Sequence, residues 1–353
     1  GSILCATCVL RALRAVNETW LHWGVFLAGT TYAALLFGLC LMIMYGADAL
    51  LRTELFPGYS NYRFYNHVQT VLIPLLALTS LSAMMPRWAR ACAYGALVFN
   101  FALLFFTAGR ATLLGLSIGC GLVAVLALRS ARPWLKRMAS GAVFGAIVYL
   151  AMFVLAPRWF GVEVEATAVD VAGNTMSIER RFYLWRLALD YVRESPWWGI
   201  GPMQFAHRPN TEAAHPHSLP LQIAAEWGVP MLALVITFAA VGLWRMRRAV
   251  RAENCAQQAV VGAGLWAACV AVAVDSCLSG NFVMPMSQMW IALLIGWSAA
   301  WTRGRAPVSH ESPRIAVPIA MMGALVTAAL ALQLWAPWAV RHQVSDMDGY
   351  LNT

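Results

Sequence analysis

Arg110 is the first residue from which a chemistry can be read. It stands between two apolar runs, Ala91–Ala108 and Ala111–Leu128, each long enough to cross the ~30 Å hydrocarbon core of a bilayer. A lone guanidinium at the tip of such a hairpin is costly in lipid, and so faces a cavity, a partner or an anionic ligand. Further along, Arg180 and Arg181 open the stretch Ser177–Glu194, whose apolar residues Phe182, Trp185, Leu189 and Val192 recur at helical spacing. His215 and His217 follow in His-Pro-His-Ser, directly ahead of an apolar helix from Leu219 with Ser218 as its N-cap. The positive end of that helix disfavours imidazolium and holds His217 neutral, poised as a base. Glu226 on that helix and Asp275 at the outer end of another apolar run are acids that need a partner. Arginine's planar fork suits phosphate, and a neutral imidazole supplies general-base catalysis. Each feature also has a plain structural reading. The Arg180/Arg181 helix packs on the membrane surface, His217 is a capping histidine, and Glu226 and Asp275 form ion pairs.

The elements that must position these residues are membrane helices. Sixty per cent of the 353 residues are hydrophobic and 12% charged, which excludes a soluble chain. The sequence predicts an all-α, polytopic integral membrane protein with at least nine transmembrane helices, near 20–46, 68–86, 91–108, 111–128, 138–156, 219–244, 256–277, 286–302 and 315–335. Ile3–Ala12 is too short to cross and reads as the end of a further helix. Basic residues crowd one set of loops: Arg11, Arg14, Arg87, Arg90, Arg129, Arg132, Lys136, Arg137, Arg245, Arg247, Arg248, Arg251, Arg303, Arg305 and Arg314. By the positive-inside rule that face is cytoplasmic. The net charge of +9 is therefore a topology signal and gives no support for nucleic-acid binding. On the opposite face, 157–218 runs without a span, and long loops in compact proteins usually carry a task. Three parts follow: N-terminal helices in 1–90, a core in 91–244 that includes the outer loop, and C-terminal helices in 245–353.

Smaller signals are weaker. Gly199-Ile-Gly201 allows backbone to approach a ligand closely, and Pro230 should kink the span from Leu219. The eight cysteines lie within or beside apolar runs and read as small hydrophobes without a disulfide framework. No spacing on the outer face suggests a metal, and no cofactor is expected. Arginines, a base and lipid-facing architecture together point to a transferase acting on a polyprenyl-phosphate-linked donor.

Residues from about 98 to 235 resemble the domain shared by O-antigen ligases, O-antigen polymerases and protein O-oligosaccharyltransferases. Thr107-Ala-Gly-Arg110 is similar to that family's Ser/Gly-Arg segment. Arg181-Phe-Tyr-Leu-Trp185 and Pro196-Trp-Trp-Gly-Ile-Gly201 resemble its Arg-x-x-x-Trp and Pro-x-x-Gly-x-Gly run. His217-Ser218, nine residues and Gly228 resemble the ligase signature, although Met231 stands where Gly, Thr or Tyr usually does. Gly58–His67 also looks like the family's outer loop. The resemblance implies a fold similar to GT-C glycosyltransferases and a bacterial inner-membrane location with a periplasmic site. It further implies metal-free, inverting transfer of O-antigen from undecaprenyl diphosphate to lipid A–core. The diphosphate would be bound by Arg110 and Arg181, aided by Arg180, and His217 would act as base, with His215, Asp275 and Glu226 in support. Polymerase and protein-glycosylating activities are the neighbouring alternatives, and an anion or lipid transporter is a more distant one.

Overall fold

The computed structural model describes residues 18–46, 49–50, 55–126, 131–164, 168–208 and 213–302. Its helices are α1 (Glu18–Gly46), α2 (Tyr62–Leu81), α3 (Arg87–Phe106), α4 (Arg110–Leu126), α5 (Arg132–Tyr149), α6 (Ala156–Phe160), α7 (Ala168–Glu194), α8 (Gln204–His207), α9 (Leu219–Trp227), α10 (Val229–Ala252), α11 (Ala256–Leu278) and α12 (Pro285–Thr302). A π-helical turn, Leu150–Leu155, joins α5 to α6 without a break. The only extended pairing among the described residues is a two-residue parallel bridge between Ala49–Leu50 and Glu163–Val164.

Among the described residues, five helical stretches are long and apolar enough to cross a membrane: Glu18–Met44, Arg87–Phe106, Arg132–Phe160, Val229–Ala252 and Ala256–Leu278. The expected crossing near 315–335, the turn of helix at 3–12 and the C-terminal tail lie outside the described residues. The helix expected at 68–86 begins earlier and carries Arg63, Asn66, His67, Gln69 and Thr70 in its first turns. Protein covers it rather than lipid, for it is buried from Tyr65 to Ser80. Tyr65 and Gln69 both bond Asn100 of α3, the tyrosine hydroxyl donating to Oδ1 at 2.7 Å and the amide to the backbone carbonyl at 2.9 Å.

The 91–128 hairpin is real as a turn but not as a packed pair. α4 leaves α3 and lies along α11 instead. The reason is steric: a Cβ at Gly115 or Gly119 would sit 2.6 or 2.5 Å from the carbonyl oxygens of Ala271 and Ala267. Two glycines one turn apart let the helix backbones meet, the usual small-residue contact of membrane helices. α3 packs on α5 by the same device, with Gly145 against Phe101.

The span expected from Leu219 is also divided. Gly228, at φ +86°, ends α9 and precedes α10. Pro230 then sits in the first turn of α10, where its missing N–H costs nothing. The glycine, not the proline, makes the break. α10 exposes Leu234, Val235, Ile236, Phe238, Val241 and Trp244, an apolar face suited to lipid.

Candidate functional site

The outer loop is built around α7. The buried stripe of that helix is Leu184, Ala188 and Tyr191, packed with Phe205 of α8 and Ala225 of α9. Spacing alone had placed Phe182 and Leu189 inward, yet both are exposed. The face that α8 and α9 cover is that of Leu184, Ala188 and Tyr191, and Phe182 and Leu189 lie outside it. Arg181 lies on the covered side and is half-buried, while Arg180, about 100° around the helix, is exposed.

Pro196–Gly201 is stitched to the α9–α10 break. Ile200 and Gly201 donate to the carbonyls of Ala225 and Glu226 at 2.8 and 3.1 Å, and Val229 donates to Pro196 at 2.8 Å. A Cβ at Gly199 would stand 2.3 Å from the Glu226 carbonyl carbon, and one at Gly228 2.3 Å from the Trp197 oxygen. The backbone that Gly199 admits is therefore that of α9. Glu226 belongs to this seam: it is buried, and its Oε1 accepts the Phe205 N–H at 3.3 Å. A backbone hydrogen bond satisfies it, where an ion pair had been expected.

His-Pro-His-Ser hangs between α7 and α9. Trp185 Nε1 donates to the Pro216 carbonyl at 3.0 Å, and His217 N donates to His215 Nδ1 at 3.2 Å. That bond puts the proton of a neutral His215 on Nε2. The two rings meet edge to face with centroids 4.2 Å apart. Behind His215 lies Gly280, where a Cβ would come within 2.4 Å of the ring. His217 adopts φ +53°, a left-handed conformation uncommon for a side-chain-bearing residue and concentrated at functional positions. Its imidazole is held neutral, pushed down to about 3 by burial first and then by His215, Arg181, His67 and Arg63. His215 is lowered to about 4 by burial and by His67. Ser218 precedes α9 as expected, but its side chain makes no capping bond.

The cations near Arg181 come from separate helices. Arg110 is the first residue of α4 and is exposed; Arg63 projects from the first turn of α2. Burial, then Arg63 and Arg110, makes Arg181's charge harder to hold, with Asp275 opposing them. The four groups thus share one electrostatic neighbourhood. The outer arginines Arg193 and Arg208 are engaged elsewhere, by Asp190 and Glu194.

Asp275 forms the floor. It is fully buried at the end of α11, with Oδ2 accepting from Thr70 at 3.2 Å and Asn281 at 3.0 Å, and with His67 Nδ1 3.8 Å away. Thr70 Oγ1 also lies 2.9 Å from Thr112 Oγ1 of α4. Thr112 and Thr107 then donate to Asn66 at 2.9 and 2.8 Å. This network ties the turn before Arg110 to α2 and α11, so the position of Arg110 depends on both.

Arg63, His67 and Asn281 are site residues that sequence reasoning did not single out. A signal existed for two of them: Arg63 and His67 are four apart and share a face of α2. Asn281 carried none. Arg110, Arg180, Arg181, His215, His217 and Glu226 all fall in residues 95–236, which match a family model described as O-antigen ligase. Arg63, His67 and Asp275 lie on either side of that stretch. No curated protein matches the chain.

Proposed function

We propose that the chain, whose residues 95–236 match the family model described as O-antigen ligase, is a glycosyl-transferring membrane enzyme that joins a lipid-linked glycan to an acceptor hydroxyl. The donor on this reading is an undecaprenyl-diphosphate-linked O-antigen, and the acceptor is lipid A–core at the periplasmic face of the inner membrane. The observation that supports the reading is a strained, neutral His217 on which Arg181 of α7 and Arg63 of α2 act, Arg181 being in turn within the influence of Arg110 at the start of α4. The basic residues of Arg87, Arg90, Arg137 and Arg251 belong to the other helix ends, which supports an outward-facing site.

Arg110 and Arg181, with Arg63, take the diphosphate in charge-assisted hydrogen bonds. They stabilise negative charge on it as the anomeric carbon–oxygen bond breaks. His217 accepts the proton of the attacking hydroxyl, which approaches from the face opposite the leaving group and inverts the anomeric centre. In the free site burial first, and then the neighbouring imidazoles and cations, push His217 down to about 3. A bound diphosphate offsets those cations and raises the imidazole towards a useful range.

The test is reconstitution of the purified chain with undecaprenyl-diphosphate glycan and lipid A–core. His217→Ala is expected to lose about 10²–10⁴-fold in turnover with donor binding retained, and wild-type turnover in that variant would refute the base. Arg110→Lys is expected to fail as well, because a point charge cannot replace the fork. Mass spectrometry of the product's acceptor end separates ligase from polymerase and from protein glycosylation. The polymerase reading draws specific support from Met231, which departs from the ligase signature.

A further inference from the structure

Resting on the transferase reading, we propose that Asn66 of α2 is a positioning residue that fixes Arg110 against Arg63 for the donor's diphosphate. Asn66 is 4% exposed and meets the chain on both sides of Arg110. Thr107, ahead of it, donates its hydroxyl to Asn66 Oδ1 at 2.8 Å. Thr112, behind it, donates to the Asn66 backbone carbonyl at 2.9 Å. Between the two, a Cβ at Gly109 would stand 2.8 Å from Asn66 Nδ2 and 2.6 Å from Leu104 Cδ1. Gly109 therefore lets the turn close directly onto the asparagine, which holds it at its tip as well as at its ends.

The turn needs a hold of this kind. Ala108 is left-handed at φ +50°, a conformation that costs a side-chain-bearing residue free energy and persists only where its surroundings enforce it. Beyond it α4 lies along α11, away from the helix that precedes the turn. Arg110, exposed at the start of α4, is aimed by the backbone that Asn66 holds. Asn66 itself is firmly placed, since its helix neighbours Tyr65 and Gln69 bond Asn100 of α3 at 2.7 and 2.9 Å. Arg63 projects from the same helix, and residues three apart are neighbours on a helix surface. Hydrogen bonds through one buried residue thus link the helix that carries Arg63 to the turn that carries Arg110. Two planar forks that share a diphosphate need a fixed spacing, and a misplacement on the order of 1 Å can cost about 10²-fold in rate. Asn66 acts through Arg110 and does not touch the donor.

The experiment measures binding of undecaprenyl diphosphate to the full chain in lipid nanodiscs, for single variants and for a double-mutant cycle with Arg110→Ala. Thr107→Val keeps the shape of the side chain and loses its hydroxyl; Thr107→Ser keeps the hydroxyl. Thr107→Val is expected to weaken binding about 10-fold, and Thr107→Ser to stay within about twofold of wild type. In the Arg110→Ala background Thr107→Val is expected to cost nothing further, because coupled residues are not additive. Wild-type binding by Thr107→Val would overturn the proposal. So would the same loss with and without Arg110, since that is what a packing defect produces. Asn66→Ala is expected to behave as Thr107→Val does; if it gives little folded protein, Thr107→Val decides, because it opens no cavity. Arg110→Ala alone reports on the transferase reading. Wild-type binding by that variant overturns the reading's diphosphate site and the proposal with it, whereas weak binding there beside wild-type binding by Thr107→Val overturns the proposal only.

Discussion

Two buried carboxylates, Glu226 and Asp275, sit near helix C-termini in this chain, and their surroundings differ in kind. Glu226 lies in the seam where α9 gives way to α10, and its oxygen accepts a backbone N–H. Around it the Pro196–Gly201 loop and the break at Gly228 are interlocked by main-chain hydrogen bonds. Asp275 lies at the junction of α2, α4 and α11, where every partner is a side chain and one oxygen has none. The seam uses its acid to fix backbone. The nest leaves part of its acid unspent beside a histidine and below three arginines. Burial alone is therefore a poor guide to the role of an acid; what each oxygen bonds decides it.

The largest effect that would break this comparison concerns the seam itself. Gly228→Ala puts a Cβ 2.3 Å from the Trp197 carbonyl at a φ of +86°, and backbone cannot yield there as a side chain tip would. Loss of most folded protein is expected, read as yield of monodisperse material in detergent; normal yield would mean that the seam is looser than its geometry. Next comes the arginine pair on α7. Arg181→Ala is expected to weaken donor use by roughly 10²–10³-fold, whereas Arg180→Ala, on the exposed side, should cost less than about threefold. Equal losses would return both residues to the site. Glu226→Gln keeps an acceptor for the Phe205 N–H and is expected to change kcat by less than about threefold, against a larger loss from Asp275→Asn.

The smallest effect is on stability. His215 and His217 have folded-state pKa values lowered from 6.5 to about 4 and about 3, so the unfolded chain binds protons that the folded chain refuses. Stability from these two groups is complete above pH 6.5 and declines as pH falls towards 4 and 3. The melting temperature is expected to drop between pH 7 and pH 5 in wild type, and to drop less in a His215→Phe variant. An equal drop in both would place the acid sensitivity elsewhere.

Much of this was legible from residue types. The apolar runs are helices, the turn at Gly109-Arg110 exists, and His217 stands at the threshold of α9. Side-chain spacing on α7 did mark a helix but did not tell which of its apolar residues α8 and α9 cover, because periodicity reports that a face is apolar and not which neighbour covers it. The course of α4 was hidden for a similar reason: Gly115 and Gly119 signal close packing, yet nothing local names α11 as the partner. Gly199 read as a ligand cradle until its neighbour proved to be Glu226 backbone. His67 was invisible as a neighbour of Asp275, since their association depends on a contact over more than 200 residues of chain.

The most direct test of the central claim is a structure of the His217→Ala variant in lipid with undecaprenyl-diphosphate glycan bound, where chemistry is stopped and the donor remains. Expected is a diphosphate within hydrogen-bond distance of both Arg110 and Arg181, with the anomeric carbon facing position 217. A donor whose diphosphate touches neither guanidinium, or whose anomeric carbon faces away from that position, would contradict it.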